Sequence, residues 1–179
     1  MKHLKKLLLM ALVVVFANNI SAQDQDNRWV IELGTNVVDF YPTGADDPAV
    51  GGMFEDFVNL DHWNTAGIIS RLRFGYYVGS GFSVGLTGTY NQIENVGDLR
   101  ITRSAYLSSD VDIKYNFVRD YGWFDPYIFV GGGGTWIEGD GNATANAGLG
   151  FNLWINKWLG VNIQTKYKHS FDEDKLLPH

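Results

Sequence analysis

The 179-residue chain contains no cysteine, which excludes disulfides, thiolate–metal sites and a lipid anchor on an N-terminal Cys. It has no cluster of Lys and Arg beyond its first residues, and its formal net charge is −6. A phosphate backbone is held by clustered cations, so nucleic acid is not an expected partner. Beyond its first residues the chain also lacks any apolar run approaching the 20 or so residues of a membrane helix. Mean hydropathy is only −0.12.

The start of the chain is different in kind. Lys2, Lys5 and Lys6 form a basic head, Leu7 to Ala17 an apolar run, and Ile20-Ser21-Ala22 a small-residue exit. That run is too short to span a bilayer, and the three parts together read as an export signal. Residues 1–22 are therefore expected to be a signal peptide cleaved after Ala22. Residues 23–179 then form the mature domain, exported from the cytoplasm.

What the mature chain has in abundance is aromatic residues, 15% of the total, and 21 glycines. From Arg28 onward apolar and polar residues alternate in segments broken by turn formers, the period-2 signature of strands. The expected strands are Arg28–Tyr41, Gly67–Tyr77, Phe82–Gln92, one centred on Leu107–Phe117, Pro126–Trp136, Thr144–Trp154 and Leu159–Tyr167. In the second, Ile68, Ser70, Leu72, Phe74 and Tyr76 are expected on one face. In the fourth, Leu107, Val111, Ile113, Tyr115 and Phe117 alternate with Ser108, Asp110, Asp112, Lys114 and Asn116. The connections alternate between tight, as at Val78–Gly81 and Ile155–Trp158, and longer, as at Pro42–Thr65 and Asn95–Ser104. This is the pattern of an antiparallel up-and-down transmembrane β-barrel, whose strands need only about 9–11 residues each and whose mean hydropathy is low.

A soluble lipocalin-like binding barrel shows the same alternation with its faces reversed. Aromatic placement separates the two. Tyr76, Phe82, Phe117, Trp123, Trp154 and Trp158 fall at the tight-turn ends, and Tyr41, Tyr90, Trp136 and Tyr167 near the loop ends, as two membrane interfaces would select. Small residues such as Gly85, Gly131, Gly133, Gly148 and Gly150 suit a crowded lumen. Glu32, Arg71, Arg73, Asp110, Asp112 and Lys114 are then expected to point inward and pair as an ionic network that holds the barrel closed. A gate or selective pore is the other reading of the same residues.

The run from Trp29 to Pro42, the Trp63-Asn64 pair after a long loop, and Leu159 to His169 resemble the N-terminal barrel of OmpA-family outer-membrane proteins of Bacteroidetes-type bacteria. Ser21-Ala22-Gln23 suits signal cleavage in such organisms. The resemblance covers essentially the whole mature chain but consists of strand texture. It implies an eight-stranded barrel embedded in outer-membrane lipid, with envelope integrity as its role and peptidoglycan tethering through a C-terminal periplasmic domain. Only about seven strands are countable, and the expectation is that a closing strand and that domain are missing. The rival is that Phe54–Leu60 or Leu99–Thr102 supplies another strand.

Other features point to no chemistry. Asp46, Asp47, Glu55, Asp56, Asp61, Asp172, Glu173 and Asp174 make two regions acidic without the spacing of a calcium loop. His62 beside Asp61 lacks a recognisable nucleophile partner. Gly131–Gly134 is not followed by the Lys-Ser and helix of a phosphate loop. Asn142-Ala143-Thr144 matches a glycosylation triplet by chance. No enzyme activity, metal or cofactor is expected. The functional expectation is a structural outer-membrane anchor, with envelope proteins as candidate partners. A small porin or ligand-binding channel and a soluble binding barrel are the alternatives.

Overall fold

A computed structural model describes residues 27–40, 63–96, 99–118, 123–156 and 158–171. Seven strands form one antiparallel sheet: β1 (Trp29–Gly34), β2 (Arg71–Gly79), β3 (Phe82–Val96), β4 (Leu99–Asn116), β5 (Phe124–Ile137), β6 (Asp140–Trp154) and β7 (Gly160–Ser170). Each strand pairs only with its neighbours in sequence, in the order β1 to β7. The sheet curls into a half-barrel, and inward side chains of β1, β2 and β7 meet those of β4 and β5 across the enclosed space. The architecture is all-β and up-and-down. The expected signal peptide and the Phe54–Leu60 segment lie outside the described residues.

The polarity of this sheet is inverted relative to a water-soluble protein. Its largest fully buried side chains include Arg73, Asn91, Thr87 and Asp110, whereas Leu86, Val111, Ile113 and Val130 are each more than half exposed. Alternation produces both faces at once, because successive side chains on a strand point to opposite sides. In β4, Ser108, Asp110, Asp112 and Lys114 point inward, while Leu107, Val111 and Ile113 point outward.

Several boundaries differ from the sequence reading. β1 stops at Gly34 rather than running to Tyr41, since Thr35–Phe40 leaves the ladder and folds over one end of the enclosed space. Asn36 donates its backbone N–H to the Ser70 hydroxyl at 2.8 Å, and Val38 pairs with Asn64 in an isolated bridge. β2 starts at Arg71, not Gly67. Ser70 and Arg71 are both buried, so alternation breaks there, and Ser70 does not share the face of Leu72 and Phe74. Gly67, with φ of 119°, is in a conformation that side-chain-bearing residues rarely adopt.

Leu99–Thr102 is strand, but it is the start of β4 rather than an eighth element. β3 and β4 stay paired through a bulge near Ile93–Asn95 up to Val96 opposite Leu99, so the expected Asn95–Ser104 loop shrinks to a two-residue connection. The same happens between β5 and β6, where Glu138 and Gly139 alone make the turn. Both have positive φ, 53° and 99°, the geometry whose twist matches a hairpin. The loop ends are therefore less uneven than the turn residues suggested.

A lumen closed by two kinds of contact

The candidate site is the interior of the curled sheet. Glu32 on β1 lies at its centre of charge, with Arg71 Nη1 at 3.0 Å, Arg73 Nη1 at 3.0 Å and Lys114 Nζ at 3.3 Å. Arg73 also grips Asp112 through two nitrogens, Nη2 to Oδ1 at 2.6 Å and Nε to Oδ2 at 3.2 Å. This forked pairing matches guanidinium to carboxylate geometry. Lys114 completes its surroundings with the Tyr127 ring, 4.0 Å from its ammonium. All six ionic residues named from the sequence thus face the lumen. Five belong to one connected cluster, and Asp110 holds a second.

Asp110 is 1% exposed and accepts from Lys166 and Lys168, each at 3.0 Å, and from Asn146 Nδ2 at 3.0 Å. The two lysines lie on β7. Their alternation with Val161, Ile163 and Tyr167 was visible in the sequence, but their distance along the chain from Asp110 concealed the pairing. Gln164 was likewise missed. Its side-chain oxygen accepts from Arg71 Nη2 at 3.2 Å and from Tyr127 Oη at 3.1 Å, joining β2, β5 and β7. Toward the β1 start, Asn162 donates to Tyr127 Oη and to Asn152 Oδ1, both at 2.7 Å, and Asn152 donates to Asp125 Oδ2 at 3.0 Å. Asn116 also donates to Asp125.

Glycines make room for these crossings. A Cβ on Gly85 would sit 2.3 Å from an Arg73 nitrogen, and one on Gly150 would sit 2.6 Å from Tyr127 Oη. At Gly133 the obstacle is backbone, the Ser109 carbonyl oxygen at 2.0 Å, which cannot swing aside. The Gly131–Gly134 run is part of a strand, as its lack of a following helix implied. Its even and odd members serve different sides, since Gly134 and Gly141 lie beneath the outward Trp136 ring.

The loop end is closed differently. Val38 and Phe40 insert beside Ile93 and Tyr106, with Val96 and Ile137 packed around them. Asn64, 2% exposed, clips the segment in place. Its amide donates to the carbonyls of Val38 at 3.1 Å and Asn95 at 2.8 Å, and its Oδ1 accepts from the backbone N–H groups of Glu94 and Asn95 at 2.7 and 2.8 Å. Asn91 adds bonds to the carbonyls of Asn36 and Asn64.

No family model, curated protein or solved structure matches this chain.

The aromatic residues form a nearly continuous chain at the tight-turn end. Trp29 packs on Tyr76 at 4.7 Å, Phe82 on Tyr115 at 4.8 Å, Tyr115 on Phe117 at 5.4 Å, and Trp123 on Phe124 at 5.8 Å between ring centres. Trp158 is exposed on the turn before β7. Arg28, just outside β1, donates to Tyr76 Oη at 3.3 Å. That hydrogen bond raises its pKa above the ordinary guanidinium value. Trp29, 64% exposed, was not among the expected belt residues. Trp154 was, but it shares the inward alternation of Asn152 and lies over Gly160, where a Cβ would meet its ring at 2.8 Å. Its indole bonds Asp125 on the inward side instead of facing out. At the other end Tyr90 and Trp136 flank Leu107 across β3, β4 and β5, and Tyr167 is exposed on β7. Tyr41 and His62 lie outside the described residues. Among the described residues no three His, Asp or Glu side chains come together as a metal site.

Proposed function

We propose that this chain is a membrane-embedded β-barrel of a bacterial outer membrane, acting as a structural anchor with a plugged lumen rather than as an enzyme. The observation that carries this reading is the inverted polarity. Burying Arg73, Asp110 and Lys114 while leaving Val111, Ile113 and Val130 exposed is unfavourable in water, at roughly 25 cal/mol for each Å² of apolar surface left wet. In hydrocarbon the same arrangement is favourable, because charges meet inside and only apolar side chains touch lipid. The tight-turn aromatic chain and the outward Tyr90, Trp136 and Tyr167 fit two interfacial belts. A soluble ligand-binding barrel would need the faces exchanged.

The reading includes an eighth strand. In a seven-strand meander the first and last strands run in the same direction, so β1 and β7 can join directly only as a parallel pair. A strand running opposite to both closes the seam with the antiparallel bonding used everywhere else, and gives the even count of bacterial barrels. Similarity to the OmpA family belongs to this proposal and supplies the role of envelope integrity.

Folding only in detergent or lipid, with heat-modifiable migration on a gel, is the expected result. A soluble folded monomer without detergent would overturn the membrane reading. Conductance in a planar bilayer separates plug from small porin. The wild-type barrel is expected to pass no steady current, since ion pairs between β1 and β4 and between β4 and β7 cross the lumen at 3.0 to 3.3 Å.

A further inference from the structure

The middle of the lumen carries more positive than negative charge. Arg71, Arg73, Lys114, Lys166 and Lys168 face it, against the carboxylates of Glu32, Asp110 and Asp112. A fourth carboxylate, Asp125, accepts from the amides of Asn116 and Asn152 and also attracts Lys114, so five cations face four carboxylates. Glu32 answers three cations, sharing Arg73 with Asp112, and Asp110 answers two. Unbalanced charge in a poorly hydrated interior is costly, and a counter-ion relieves it.

A cavity of about 10 Å³ lies among these groups, lined by Arg71, Arg73, Lys114 and Lys166, with Asp110 and Asp112 also on its wall. Arg71 is 9% exposed, and its Nε is buried without a hydrogen-bond partner. The space holds roughly one water-sized guest. Lys166, 20% exposed, is the cation of this set most open to solvent.

We propose that the lumen binds one small monovalent anion of chloride size, at Arg71 and Lys166. The class follows from the wall. Four cations supply the attraction, and the two carboxylates disfavour a second negative charge. This goes beyond the anchoring role and does not depend on lipid, because the site is interior in either solvent.

The test uses the folded chain in sodium chloride and in sodium gluconate at equal ionic strength. Chloride is expected to raise the heat-unfolding midpoint by a few degrees, as any ligand selective for the folded state does, and the folded protein is expected to broaden the ³⁵Cl resonance. Sodium sulfate should not replace chloride. Lys166→Met leaves Asp110 paired with Lys168, so the variant keeps its ion pair and folds, and it should lose both effects. Arg103→Gln, on an exposed pair far along β4, should keep them. Absence of broadening by the wild-type protein, or broadening undiminished in Lys166→Met, would overturn the site. Water alone in the cavity gives the first of these results. Folding without detergent would sink the membrane reading and leave this assay standing.

Discussion

The lumen is closed twice, at its middle by charge and at its loop end by an amide clip over a small apolar cluster, and the two closures are built on different principles. At the middle every participant sits on a strand and points inward because alternation sends it there. At the loop end the segment from Thr35 to Phe40 has left the ladder, and Asn64 replaces the missing strand partners by bonding backbone groups on both sides. The first closure fixes the curvature of the whole sheet, because it ties β1, β2, β4, β5 and β7 together. The second fixes only the mouth.

The contrast can be broken most severely at Arg73. Arg73→Met strips Asp112 and Glu32 of a buried partner and is expected to cost about 3–5 kcal/mol in urea unfolding of the detergent-folded protein. A loss below about 1 kcal/mol would mean the middle is wetter than its ion pairs imply. Phe40→Ala empties the mouth cluster and should cost about 3 kcal/mol in the same assay, with the unfolding of the ionic middle otherwise unchanged. Asn64→Ala leaves the N–H groups of Glu94 and Asn95 without their acceptor. About 1–3 kcal/mol is expected, together with faster amide exchange confined to residues 36–40 and 94–95. Exchange spreading into β4 would show that the two closures act as one.

Combining Arg73→Met with Asn64→Ala sharpens the same point. Independent closures give additive losses, within about 0.5 kcal/mol. The smallest effect belongs to neither. Arg103→Gln removes an ion pair with Glu94 in which Arg103 is 62% exposed, and its loss should be under about 1 kcal/mol.

The difference between the two closures also explains what could be read from the sequence. Alternation announced most strand cores and put Glu32, Arg71, Arg73, Asp110, Asp112 and Lys114 on an inward face, because a period of two needs no knowledge of distant contacts. Which cation meets which carboxylate depends on how the sheet curls, so the capture of Asp110 by Lys166 and Lys168 stayed hidden. Boundaries failed where turn formers sat inside continuous pairing, as at Asn95–Ser104, or where alternation slipped by one, as at Ser70–Arg71. Trp154 was misplaced because its aromatic character suggested a belt, whereas its position in the alternation already pointed inward. The clip was illegible. Nothing in an isolated Trp63-Asn64 pair tells that the amide will serve as a substitute for a strand.

Strict neighbour pairing along the sheet has a consequence for dissection of the molecule. Among the described strands, a cut in the two-residue turn at Glu138–Gly139 would separate β1–β5 from β6–β7 while severing a single ladder, that of β5 and β6. The β7 lysines carry their own addresses, since Asp110 receives both on the larger fragment. Two separately made pieces should therefore recombine in one alignment, with the ammonium groups acting as keys that only a correctly slid ladder can seat.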